Sequence, residues 1–412
     1  MIIRGGTVVT ARGVEKADIV IAGDQITAVG SNLADDGEEL DASGLHVFPG
    51  GIDSHVHFNE PGRTEWEDIA HGSAALAAGG YTSFIDMPLN NLPVTTDVRA
   101  FDLKLEAMKR SSKIDFGLWG GLVPGNLDQL EPLVRRGVMG FKAFMCPSGI
   151  DEFPAADERT LREGMKRIAE LGSILLVHAE DPAELREPRG PSAADFIESR
   201  PVAAEVSAIE KAAEWAAEAG CPLHIVHVST VAGAELIIRT EYDVSGETCP
   251  HYMLYVDRDM ARIGGIAKCA PPFRAESMPV LPIVVSDHSP STLDLKQGAD
   301  FRKIWGGISG CQSTRQLLLA HERDLRVIVA VTSTNIARRF GMQGKGDIAP
   351  GFDADLWLVD LGHKDLVRRE DLLYKNQFSA HEGQRIRGRT VKTLVRGEDP
   401  GRGRFIRPAG RS

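Results

Sequence analysis

Two histidines one residue apart, His55 and His57, close the apolar run HVFPGGIDSHVH. Alternate residues of a strand point to one face, so both imidazoles can enter the same space and meet one cation. Paired histidines also serve purely structural ends, and this pair alone leaves both readings open. Four more polar residues occupy comparable places: His178 ends LLVH, His227 ends HIVH, Asp287 follows VVS in VVSDHSP, and Lys142 lies inside GFKAFM. A charged lysine is costly to bury in such a run, so Lys142 must reach solvent, pair, or be chemically altered. Taken singly, these are satisfied core histidines, a salt-bridged lysine and a helix-capping aspartate. Six of them at the mouths of five strands point instead to a metal site.

The remaining histidines have weaker contexts. His224 lies three residues before His227, so it faces the other side of that strand and is expected to pack against a helix. His288 alternates away from Asp287, as a supporting partner of the site or a satisfied polar group. His251, after Cys249-Pro250, has structural and supporting roles equally open. Nothing around His46, His71, His321, His363 or His381 favours function.

Eight apolar runs must position these groups: HVFPGGIDSHVH, YTSFIDMP, IDFGLWGGL, VMGFKAFM, SILLVHAE, PLHIVHVS, YDVSGETCPHY and LPIVVSDHSP. Amphipathic helices alternate with them. One is expected to open at Thr64 and Glu67, which stand at capping-box spacing, and to stop at Gly79-Gly80. Others carry Val98, Phe101, Leu105 and Met108, or Leu161, Met165, Ile168 and Leu171, on one face. Eight strands alternating with helices predict an α/β fold, a (β/α)8 TIM-like barrel over 49–350 with its chemistry at the C-terminal ends of the strands. An open doubly wound sheet would show a glycine-rich phosphate turn after its first strand, and no GxGxxG follows this one. The GMQGKGD segment lacks the spacing of a phosphate loop and reads as a plain turn. Short strands with turns in 1–48 and again in 351–412 predict one small β domain built from both chain ends.

Lysine plus arginine is 47 against 58 acids, a formal charge of −11, which makes nucleic acid and anionic membranes unsuitable partners. No run reaches the roughly 20 apolar residues that a spanning helix needs, and MIIRGGTVVT has no signal-peptide core. Cys146, Cys221, Cys249, Cys269 and Cys311 are odd in number and free of CxxC, so they are expected to be reduced and mostly buried. A cytoplasmic location is expected.

The phrases HVFPGGIDSHVHFNEPG, GFKAFM, VHAE, HVS and SDHSP together resemble the cyclic amidohydrolases of the urease-related superfamily. MPLNNLPVT, LWGGLVPGN, PSGIDEFP and WGGISGCQS resemble the allantoinase branch of that family, and the likeness spans almost the whole chain. The resemblance implies a barrel with a β-sandwich made from both ends. It implies that His55, His57 and Asp287 hold one metal, that His178 and His227 hold a second, and that Lys142 is N6-carboxylated and bridges the two. The cofactors implied are two divalent ions, zinc first with cobalt, manganese or iron as the others, and carbon dioxide for the lysine. The implied activity is hydrolysis of the cyclic amide of allantoin to allantoate, with Asp287 moving the proton. Hydantoinases or dihydropyrimidinases, which act on other cyclic diamides, form the alternative. A non-catalytic scaffold of the same fold would lack the ligand set, and all six types are present. Asn90, Ser289 and the backbone at Gly307, Ile308 and Ser309 are candidates for hydrogen bonds to substrate, against ordinary loop structure. The expected partners are a small cyclic ureide and copies of the same chain, in a homotetramer. Three stretches, near 183–191, 273–280 and 322–327, are shorter than the resemblance implies, and the chain is expected to be interrupted there.

Overall fold

The first residues fold as a sheet because apolar and polar positions alternate between turns. Its strands are β1 (Ile2–Val9), β2 (Val14–Ala22), β3 (Gln25–Gly30), β4 (Glu39–Asp41) and β5 (His46–Pro49). Gly23, at φ +60°, supplies the left-handed conformation that the β2–β3 turn needs. The computed structural model describes residues 1–34 and 37–409.

After Pro49 each apolar run becomes a strand. They are β6 (Gly51–Val56), β7 (Tyr81–Asp86), β8 (Asp115–Leu118), β9 (Gly120–Gly121), β10 (Phe141–Phe144), β11 (Leu175–His178), β12 (Leu223–Ile225), β13 (Val244–Thr248) and β14 (Ile283–Val284). Nearly every residue in them is buried, as in a parallel sheet covered on both faces. Pairing is parallel throughout, β6-β7-β8 and β9-β10-β11-β12-β13-β14. The third of the eight strands is split into β8 and β9 at Trp119, whose backbone N–H donates to Asp86 O at 3.0 Å and whose indole donates to Ser54 O at 2.9 Å. The ring closes by a parallel bridge between Val56 and His288, with His57 N–H donating to His288 O at 2.8 Å. This is the expected (β/α)8 barrel.

Two details differ from the sequence reading. The first barrel helix spans Ile69–Ala78, not Thr64 onward: Asp68 caps it by accepting from His71 N–H at 2.8 Å. Glu67 is instead buried, its carboxylate accepting from Lys375 N–H at 3.1 Å. The chain is also continuous through all three short stretches. From 268 to 282 it forms no helix, and is held by Asp257 N–H to Arg274 O and Met278 N–H to Tyr252 O, each 2.8 Å. Strand surface there is not left bare, because Ile328, Val329 and Val331 pack in one apolar cluster with Val284 of β14.

The C-terminal strands β15 (Leu356–Leu366) and β16 (Arg385–Leu394) return to the first sheet, giving seven strands in the order β16-β15-β5-β1-β2-β3 with β4 beside β1. Ile3, Val8, Ile19, Val47, Leu356 and Leu358 share its core, so neither end of the chain completes it alone. The tract 351–412 does not stay within this sheet. Residues between β15 and β16 reach the barrel mouth, where Ser379 Oγ donates to Ser309 O, and Phe405 bridges to Phe116 of β8.

Candidate active site

Barrel geometry brings the six polar residues to one end. His55 and His57 project from the end of β6 toward Asp287, whose Oδ1 lies 3.3 Å from His55 Nε2 and 3.5 Å from His57 Nε2. The ring centroids of His55 and His227 are 5.3 Å apart, and those of His178 and His227 are 4.7 Å apart. Lys142 lies on β10, completely buried, and its Nζ is 4.9 Å from the Phe144 ring centroid. Three of the candidate residues have backbones in the left-handed region: His227 (φ +40°), Asp287 (φ +46°) and Asn90 (φ +74°). Such conformations cost energy outside glycine and persist where the surroundings enforce them. Here they turn the chain just past β7, β12 and β14.

The ring nitrogens are sorted by carboxylates. Glu247 Oε1 accepts from His55 Nδ1 at 2.5 Å, and Glu180 Oε2 accepts from His178 Nε2 at 2.7 Å. With those N–H groups committed, His55 Nε2 and His178 Nδ1 carry lone pairs, the arrangement that metal-binding histidines usually show. His178 Nδ1 points at His227 Nε2 across 3.1 Å. Burial lowers His57 to about 4 and His227 well below the ordinary histidine range, where His178, Lys142 and His55 also act. Burial works to raise Asp287, but His55 and His57 outweigh it and hold the carboxylate ionised. Burial lowers Lys142 to about 7, against the opposing pull of Glu247 and Asp287.

These residues fit cations better than they fit one another. Lys142 Nζ, His57 Nδ1 and His227 Nδ1 are buried with no hydrogen-bond partner among the described residues. Acceptors converge on Asp287, and ligand atoms of His55, His57 and Asp287 all lie within 4.8 Å of one another. One cation among these three and a second between His178 and His227, with Lys142 near both, would satisfy lone pairs that otherwise face each other.

The site opens into a cavity of about 860 Å³ that Asn90, Ser289 and Gly307 line. Gly307 (φ +138°) is required, since a Cβ there would lie 2.4 Å from Ser289 O. Ile308 and Ser309 stand behind the wall: Ile308 O accepts from Ser289 N–H at 3.0 Å, and Ser309 O accepts from Ser379.

His224 packs edge-on against Phe340, as expected of the far face of its strand, but its Nε2 is also 3.0 Å from Glu247 Oε2. His288 supports the site, its Nδ1 accepting from Gly310 N–H at 3.2 Å. His251 is buried with neither nitrogen bonded among the described residues, in one cluster with Cys249 and Asp287. Among the described residues, His71 and His363 pair with nearby carboxylates, Asp68 and Asp365. Glu247, Glu180 and Arg200, which bonds Glu180, were not singled out by the sequence reading. Glu180 had a signal, standing two residues after His178 in VHAE.

A closed (β/α)8 barrel with histidines, a lysine and an aspartate at its C-terminal mouth defines a hydrolase class. Residues 46–397 match the Amidohydrolase family, and the chain belongs to that family as a cyclic amidohydrolase enzyme. Within it, the chain is 49% identical to the allantoinase of Rubrobacter xylanophilus, covering 99% of this chain and 97% of that protein. It is 48% identical to the allantoinase of Solibacter usitatus, over 96% and 92%. Among solved structures it resembles the L-hydantoinase (dihydropyrimidinase) from Arthrobacter aurescens, with TM-score 0.94 and 30% identity over 98% of this chain and 99% of that one. The dihydropyrimidinase from Brevibacillus agri gives TM-score 0.90 and 28% identity over 100% and 99%.

Proposed function

We propose that this chain hydrolyses the cyclic amide bond of allantoin, giving allantoate, at a site for two divalent metal ions. The observation that carries the substrate is the identity of 49% and 48% to allantoinases over nearly full lengths, against 30% and 28% to the hydantoinase and dihydropyrimidinase structures. His55, His57 and Asp287 would hold one ion, His178 and His227 the other, and Lys142 would bridge them as N6-carboxylysine. A lysine lowered to about 7 is partly uncharged near neutral pH, so its amine can form the N–C bond to carbon dioxide and release a proton. That replaces a buried cation with an anion suited to two cations. Zinc suits the histidine-rich donor set.

When bound, divalent ions supply a water that ionises near neutral pH and polarise the carbonyl under attack. Asp287 takes the proton released in the attack and delivers it to the leaving ring nitrogen, base first and acid afterwards. Its carboxylate, held ionised by His55 and His57, is in the form that this first transfer needs. Asn90, Ser289 and the backbone at Gly307 bind the ureide, with Ile308 and Ser309 fixing that backbone from behind.

The close likeness to L-hydantoinase favours a second reading, hydrolysis of other cyclic diamides. Assays of allantoin, hydantoin and dihydrouracil side by side test the choice. The proposal expects the highest kcat/KM on allantoin, and preference for either of the others would overturn it. No helix among the described residues is long and apolar enough to cross a membrane. We place the protein in the cytoplasm, in accord with the lack of a disulfide among the described residues, as a homotetramer acting on a small molecule.

A further inference from the structure

The cavity wall opposite Asn90 is a loop, and two lysines hold it. Between 293 and 309 the only helical turn among the described residues is Leu293–Lys296, so most carbonyls there have no helix or strand to bond. Lys268 Nζ donates to Phe301 O and Ile304 O, each at 2.6 Å, and to Arg302 O at 3.3 Å. Lys296 Nζ donates to Trp305 O at 3.0 Å and to Gly307 O. Five carbonyls within seven residues thus converge on two buried side chains, and the same stretch, from Arg302 to Gly307, lines the cavity. The hydrogen bonds of both Nζ atoms go to backbone carbonyls, and neither has a carboxylate within 4 Å among the described residues. Burial lowers Lys268 to about 8 and Lys296 to about 7. Buried lysines without counter-ions are a costly way to stabilise a fold, and apolar side chains would serve packing better.

We propose that Lys268 and Lys296 are positioning residues that fix the 301–307 wall for substrate, an inference that rests on the cyclic-amide reading of the site. The wall has little latitude. Gly307 leaves no room for a Cβ against Ser289, which itself follows Asp287 by two residues and bonds to Ile308 O. A shift in the loop therefore changes where the ring can lie, and the lysines that hold it bond to carbonyls of the loop, not to a proposed metal ligand.

The test uses Lys268→Met and Lys296→Met in the metal-loaded enzyme, with whichever of allantoin, hydantoin and dihydrouracil the wild type opens fastest. The expected result is a KM raised about tenfold or more, kcat within about threefold of wild type, and unchanged metal content, the pattern of lost substrate binding. Lys268→Arg, which keeps donors at the same depth, should recover most of the loss. A KM within about twofold of wild type in both methionine variants would overturn the inference, whatever happens to the melting temperature. Should those variants not fold, Lys268→Gln and Lys296→Gln are read by the same KM criterion. If the wild type prefers hydantoin, the allantoin reading fails while the lysine inference is still judged on KM for hydantoin.

Discussion

Glu247 Oε1 lies 2.5 Å from Nδ1 of His55. The other oxygen of the same carboxylate is 3.0 Å from His224 Nε2, so one acid on β13 ties the end of β6 to the far face of β12. Burial works to raise Glu247, but its contacts with His55 and His224 hold it at about 2. An ionised Glu247 keeps the His55 proton on Nδ1 and leaves Nε2 for a cation. Glu247→Gln should weaken metal binding by about 10- to 100-fold, the usual scale for a group that orients a ligand. Competition with a chelator measures this, and unchanged affinity would remove Glu247 from the account.

Lys142 sits in an apolar strand with no hydrogen-bond partner for its Nζ among the described residues. Lys142→Ala should lose metal and activity together, and a small carboxylic acid added to the variant should restore part of both. Metal analysis and turnover read the outcome. An alanine variant that keeps two metals and full activity would end the carbamate reading.

For Asp287, the substitution Asp287→Asn should lower turnover by about 10²- to 10⁴-fold, the scale of a positioned proton-transfer group. Part of the loss can come through metal, so turnover is compared at full metal loading. Near wild-type turnover under that condition contradicts the proton-transfer role.

How far the sequence discloses this site follows from how each residue acts. His55, His57, Lys142, His178, His227 and Asp287 were legible because each interrupts or ends an apolar run, and the period of a strand aims it at the barrel mouth. Eight runs likewise disclosed the barrel. The helix start at Asp68 was not legible, because Thr64 and Glu67 show the same spacing and only the buried bond from Lys375, over 300 residues away, takes Glu67 out of a cap. Glu247 was missed for a similar reason. Its function comes from contacts with residues 192 and 23 positions away, and GETCPHY shows nothing of them. Ile308 and Ser309 belong to the right phrase, but a loop's inner and outer faces follow no period, and they stand behind the wall that Gly307 lines.

His381 had no sequence context for function, and its ring lies buried against Tyr255 with centroids 5.7 Å apart. Burial first, and then the charge of His251, lower it to about 3. Between about 3 and the ordinary 6.5, the unfolded chain binds a proton here that the folded chain does not. Stability therefore rises with pH across that window and falls as the solution is acidified. The slope from this one group is up to about 1.4 kcal/mol per pH unit. His381→Phe should flatten the pH dependence of unfolding by about one proton, read as the difference between wild type and variant at each pH. Parallel curves would show that His381 titrates alike in both states.

The most direct test of the central claim is metal content measured together with allantoin hydrolysis on one preparation of the purified protein. Two divalent ions per chain are expected, with allantoin opened to allantoate, activity lost when a chelator removes the ions, and activity restored when they return in the presence of carbon dioxide. A fully metal-loaded protein that leaves allantoin intact, or hydrolysis that survives complete metal removal, would contradict it.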